Sequence, residues 1–140
     1  MKITKRIGFF ILAIAILFVF TFHIFASDNT ITPRYNNTGS TEALFVIDSN
    51  GLATVSYTCF GYRGVTTSIQ VDVKIEKKFL WWWNDVDGAS WTDHSSADYC
   101  TNEHEYQLSK KGTYKATITY TVSGTGGDAD VITVEIEESY

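Results

Sequence analysis

The sequence predicts an all-β fold, an antiparallel β-sandwich of about seven strands that follows an N-terminal apolar helix. Three observations carry that prediction. Short runs alternate apolar and polar residues, turn-forming residues separate the runs, and no helical period occurs after the N-terminal apolar segment. Beyond that segment about 110 residues remain, enough for one core and one domain.

The first element is the apolar segment itself. Lys2, Lys5 and Arg6 precede a run from Ile7 to Ala26 with no formally charged residue, and the small residues Ala26 and Ser27 close it. A positive end, an apolar stretch and a small-residue cleavage position make a secretory signal. A run of about 20 apolar residues also suffices to span the hydrocarbon core, so residues 1–27 read as a signal peptide or as a membrane anchor. Either outcome places the folded part outside the cytoplasm, secreted or at the cell surface, with membrane contact through the leader if it is uncleaved. Residues 28–40 are polar and turn-prone (Asn29, Pro33, Asn36, Asn37, Gly39) and read as a linker. Residues 41–140 are the expected sandwich domain.

Within it, Glu42 to Asp48 is a first strand, ended by the turn signal Ser49, Asn50 and Gly51. Leu52 to Tyr62 follows, with Ala53, Val55, Tyr57 and Cys59 on one face. Thr67 to Lys77 alternates most cleanly, Ile69, Val71, Val73 and Ile75 pointing one way. Phe79 to Trp91 resists assignment by periodicity. Tyr99 to Leu108 is a further strand. After a turn at Lys110 to Gly112, Thr113 to Ser123 sets Tyr114, Ala116, Ile118, Tyr120 and Val122 on one face. A glycine-rich turn leads into Ala129 to Glu137, with Ile132, Val134 and Ile136 inward.

All sixteen acidic residues lie at or beyond Asp28, and three of the eleven basic ones lie in the leader. The exported part therefore carries eight basic and sixteen acidic side chains, a formal charge of −8. Nucleic acids and anionic lipid surfaces attract cationic fields, so the net balance argues against both, and no nucleic-acid partner is expected. The two cysteines, Cys59 and Cys100, both lie in the exported part. An even count in an oxidising compartment points to one disulfide, which would contribute about 3–4 kcal/mol. Two separate buried thiols are the alternative. Neither belongs to a Cys-x-x-Cys element, which argues against zinc.

Leu108 to Tyr114 resembles the corner that leads into the sixth strand of immunoglobulin-like domains, where a tyrosine hydroxyl bonds back to the preceding turn. Antibody-type domains carry a cysteine two residues beyond that tyrosine; Ala116 stands there in this chain. The resemblance implies an immunoglobulin-like sandwich in which a Cys59–Cys100 link would join neighbouring strands. The exported region is also similar to small secreted Firmicutes proteins classed as a domain of unknown function. Val73 to Lys78, Trp83 and Trp91 flanking Val86, and Leu108 to Tyr114 carry that similarity, over most of Ala43 to Ile136. It implies export and the fold, and carries over no catalytic residue.

Phe79, Leu80, Trp81 and Trp82 are the candidate ligand-binding residues. Three consecutive tryptophans cannot all enter one core from a strand, because neighbours face opposite sides. With Trp83 packing inward beside Trp91, Trp81 and Trp82 fall at a hairpin tip. Exposed aromatics there would serve an extracellular protein or glycan partner. They would equally suit a lipid interface with Lys77 and Lys78 at headgroup level, or they fold back over the sandwich edge. Asp85, Asp87 and Asp93 form a weaker alternative, a calcium site, since hard cations gather several oxygens in a tight turn. The spacing departs from an EF-hand loop, and solvated carboxylates explain it equally. Among the histidines, His94 and His104 lack the spacing of a zinc pair. No nucleophile motif, phosphate loop or paired-carboxylate motif is present. The expectation is a non-catalytic binding module without cofactor, with a calcium-stabilised structural domain and a membrane-active effector as alternatives.

Overall fold

The computed structural model describes residues 34–140. The expected leader and residues 28–33 of the expected linker lie outside them. Seven antiparallel strands form two sheets: β1 (Thr38–Ile47), β2 (Leu52–Gly61), β3 (Thr66–Phe79), β4 (Trp82–Ser95), β5 (Tyr99–Gln107), β6 (Thr113–Gly124) and β7 (Gly127–Ser139). One sheet has the order β1-β2-β5 and the other β4-β3-β6-β7. The described residues contain no helix.

Alternation in the sequence becomes the core directly. Ala53, Val55, Tyr57 and Cys59 of β2 face Ile69, Val71, Val73 and Ile75 of β3 and Tyr114, Ala116, Ile118, Tyr120 and Val122 of β6, all buried. The central strands β3 and β6 thus supply most of the interior of their sheet. The edge strand β7 packs Ile132, Val134 and Ile136 against it while remaining partly open. At the β5–β6 corner the Tyr114 hydroxyl donates to the Lys110 carbonyl, as the sequence of that corner predicts.

Two boundaries differ from expectation. The linker does not extend to Ser40: β1 begins at Thr38, and Asn37 and Thr38 are fully buried. The cause is Asp130, whose carboxylate accepts the backbone N–H groups of Asn36 (2.9 Å), Asn37 (2.7 Å) and Thr38 (2.9 Å) and the Thr38 hydroxyl (2.9 Å). A charged acceptor satisfying several backbone donors is strong enough to order an otherwise polar, turn-prone segment. Phe79 to Trp91 is the second difference. It is the turn of a long hairpin and most of one continuous strand, β4.

That strand also corrects the expected position of Trp83. Lys74 pairs with Ser90 and Glu76 with Asp85, so four residues of β4, Val86 to Ala89, oppose Ile75 alone. Three extra residues are an odd number, and an odd slip moves side chains to the other face. Gly88, at φ 77°, makes the bend possible. Trp91 therefore packs against the core, whereas Trp83 lies on the outer face beneath Lys78 and Lys115.

Cys59 and Cys100 are both buried and both free. They are also direct cross-strand partners in the β2–β5 register.

Candidate functional site

The strands run between two ends of the sandwich. The β1–β2 turn, the β3–β4 turn, the β5–β6 loop and Tyr140 share one end; Asn37, the β2–β3 turn and the β6–β7 turn share the other. The β3–β4 turn is a two-residue connection, Leu80 and Trp81, closed by the pair Phe79–Trp82. Its first central position needs a positive φ to match the strand twist, and glycine normally fills it. Leu80 fills it here at φ 57°. A bulky residue in that region costs on the order of 1–2 kcal/mol.

The hairpin also overhangs its sheet. Pairing between β3 and β6 ends at Lys77–Tyr114, whereas β3 and β4 continue through Lys78–Trp83 and Phe79–Trp82. Two further pairs at about 3.3 Å each carry the turn roughly 7 Å beyond its last pairing with β6, while β6 and β7 run on together to Thr113–Ser139 and Gly112–Tyr140. All four sequence-predicted contact residues are consequently exposed, Leu80 at 63% and Trp81 at 79%. Their rings touch one another: Phe79 and Trp82 at 5.4 Å between centroids, Trp81 and Trp82 edge-to-face at 5.0 Å. The aromatics do not fold back over the sandwich edge. Beneath the overhang a groove of about 490 Å³ lies between the hairpin and the β5–β6 loop, with Phe79, Val86, Tyr106, Leu108 and Tyr114 among its walls.

Lysines surround this end. Lys77, Lys78, Lys110, Lys111 and Lys115 are five of the eight basic residues beyond the leader. Lys115 is neutralised by Glu135 (2.9 Å) and Glu76 (3.3 Å), and Lys74, farther along β3, by Glu76 (3.0 Å) and Asp85 (3.6 Å). The bond to Glu135 raises the Lys115 pKa despite burial, and Glu76 adds to it. Burial pushes the Glu76 carboxyl up, but Lys74 and Lys115 outweigh it and hold the group below the carboxylate range. Among the described residues, Lys77, Lys78, Lys110 and Lys111 have no carboxylate within 4.0 Å. Lys77 instead donates to the Lys111 carbonyl (3.0 Å) and lies 5.3 Å from the Tyr114 ring; Lys78 lies 5.2 Å from the Trp83 ring.

The three aspartates of the calcium reading are not brought together. Asp85 is exposed and faces Lys74, and Asp87 sits in the bulge, its carbonyl accepting the Tyr106 hydroxyl (2.8 Å). Asp93 points inward instead. Its carboxylate accepts the Tyr57 hydroxyl and the Asn102 amide (2.8 Å), and His104 Nε2 lies 2.5 Å away. Burial raises the Asp93 carboxyl, yet these partners together lower it below its ordinary value; burial and Asp93 drive the Tyr57 hydroxyl far up. Trp91 stacks on His104 at 4.8 Å. Among the described residues, no group of three or more His, Cys, Asp or Glu side chains could hold a metal ion.

This cluster bridges β4 and β5, the two strands at the open side of the sandwich, and it was not singled out as a unit in the sequence. A signal existed: Asn102 and His104 share the parity of buried Cys100, as Asp93 shares that of Trp91. With every partner turned inward on the Asp93 carboxylate, the set reads as an edge seal. Comparison with protein-family models, with curated proteins and with solved structures gives no match.

Proposed function

We propose that this chain is an exported, non-catalytic binding module on an immunoglobulin-like sandwich, with Phe79, Leu80, Trp81 and Trp82 as its contact surface. One observation carries the reading: four large apolar side chains stand exposed at an overhanging tip whose backbone is strained at Leu80. Exposed apolar patches mark interaction sites, and strain persists where function requires it. The polar clusters among the described residues, by contrast, have their donors and acceptors committed to one another.

The strand order supports the immunoglobulin-like part. With strands counted along the chain, the constant-type arrangement places the fourth beside the fifth; here the fourth pairs with the third, and the other neighbours agree. The Tyr114 corner supports it too. Export rests on the leader sequence, and the direct pairing of Cys59 with Cys100 supports a disulfide in an oxidising compartment.

A photoactivatable side chain introduced at position 81 tests the contact surface without assuming the partner's chemistry. On intact cell envelopes, cross-links form from position 81 and not from Tyr62 at the opposite end. Equal or greater cross-linking from position 62 overturns the reading.

A further inference from the structure

We infer that the surface engaged by this tip is an anionic lipid bilayer, an assignment that rests on the hairpin being the contact site. Three features of the tip favour lipid over a protein or glycan. The apex is convex and apolar: the run Phe79 to Trp83 offers only indole N–H groups as side-chain hydrogen-bond donors and no side-chain acceptor. A small sugar is held by placed polar groups in a concave site, and a protein interface carries about one hydrogen bond per 100–200 Å², neither of which the apex side chains supply. An acyl-chain interface asks for none, and Trp is favoured there because its ring is apolar and its N–H reaches the headgroup level.

Depth and charge agree with that reading. Lys77 and Lys78 stand two to three residues behind Leu80, about 7–10 Å along an extended strand. That matches the roughly 5–10 Å to which interfacial elements bury their apolar faces. When Leu80 and Trp81 enter the acyl boundary, these ammonium groups meet the lipid phosphates. Lys110 and Lys111 on the adjacent loop bring to four the cations at this end that have no carboxylate within 4.0 Å among the described residues. Asp48, Asp85, Asp87, Glu137 and Glu138 also lie toward this end, as do the Glu76 and Glu135 that pair with Lys115, and none has a carboxylate within 4.0 Å of those four lysines.

Net charge alone gave the opposite expectation, and the distribution explains why. Five of eight basic residues collect at one end of a domain whose formal charge is −8. An anionic surface repels the acidic body and attracts the tip, so the field orients the molecule as well as binding it. The backbone N–H groups of Asn36, Asn37 and Thr38 are held at the far end by Asp130.

The test uses the full-length chain, its leader taken up in a neutral phosphatidylcholine nanodisc, with vesicles carrying brominated acyl chains added in trans. All four tryptophans lie in the described domain, so indole emission reports on it alone. With phosphatidylglycerol vesicles, emission shifts to the blue and is quenched; with phosphatidylcholine vesicles it is not. Binding falls about fivefold for each of Lys77→Gln and Lys78→Gln, and with added salt. Leu80→Ser with Trp81→Ser abolishes binding at an unchanged melting temperature. Quenching that is equal on both lipids, or absent from both, overturns the assignment. If cross-links from position 81 then run to protein or glycan, the contact surface stands and only its partner changes. If position 81 yields none, the contact reading falls as well.

Discussion

The two ends of this sandwich both expose aromatics, Phe60, Tyr62 and Tyr99 at one and the hairpin rings at the other, but they differ in what lies beneath. At the Asn37 end, polar groups are buried and every one is satisfied. Asp130 takes four donors, the Asn37 side chain donates to the Asp128 carbonyl (2.9 Å) and accepts from Gly126 N–H (3.1 Å), and Thr66 donates to the Asn37 carbonyl (2.5 Å). At the hairpin end, large apolar groups are left in water beside cations without acidic partners. Burial of satisfied polar groups makes one end rigid and specific, since losing any partner strands the others. The exposed side chains of the hairpin tip make few core contacts, so their loss costs the fold little.

Breaking the buried end has the largest expected effect. Asp130→Ala removes one acceptor and strands the N–H groups of Asn36, Asn37 and Thr38, a loss of about 3–5 kcal/mol in urea unfolding. A loss below about 1 kcal/mol would mean that water replaces the carboxylate and that the end is not closed.

Next comes the cysteine pair, close to the Asn37 end of β2 and β5. Directly opposed antiparallel residues have Cα atoms about 4.5–5.5 Å apart, inside the range a disulfide needs. Oxidation joins them in one chain and raises stability by about 3–4 kcal/mol, read as the midpoint shift between oxidised and reduced protein. Burial, with Cys100 nearby, pushes the Cys59 thiol up to about 11, and burial with Asp93 raises Cys100. Oxidation of the folded protein is therefore slow at neutral pH and faster as pH rises. A pH-independent rate counts against this account.

Acid sharpens the comparison further. Burial raises the Asp130 carboxyl, but the donors of Asn36, Asn37 and Thr38 prevail and hold it below its ordinary value, as happens at Asp93 and Glu76. A carboxyl depressed in the folded state contributes stability that is complete above about pH 5 and is lost as pH falls through the folded value. Wild type loses stability across that acid range, and Asp130→Asn flattens part of the loss. An identical slope in the variant would remove Asp130 from the explanation.

The smallest effects belong to the tip. Leu80→Gly relieves the positive φ and stabilises by about 1 kcal/mol. Trp81→Ser changes unfolding by less than about 0.5 kcal/mol, the usual range for an exposed site. A larger loss at Trp81 would place that ring in the core after all.

Six of the seven strands, the inward faces of β2, β3 and β6 and the Tyr114 corner were legible in the chain, because strand period and turn residues are local properties; whether the aromatic tip stands exposed or folds back was not. Trp83 was misplaced because parity survives only until a bulge, and Val86 to Ala89 carries no periodic mark of the three residues it inserts. The span 28–40 was read as linker throughout because its polar composition predicts solvation; the acceptor that orders Asn36 to Thr38 lies more than ninety positions away.

What the sequence determined by itself was therefore what neighbours along a strand set: six of the seven strands and the buried faces of β2, β3 and β6. Only the tertiary structure decided which carboxylate meets which donor, that Asp93 seals an edge instead of joining Asp85 and Asp87, and that the lysines gather on one end of an acidic body. Those outcomes depend on distances between strands remote in the chain, and electrostatics and hydrogen bonding act through space rather than along the sequence.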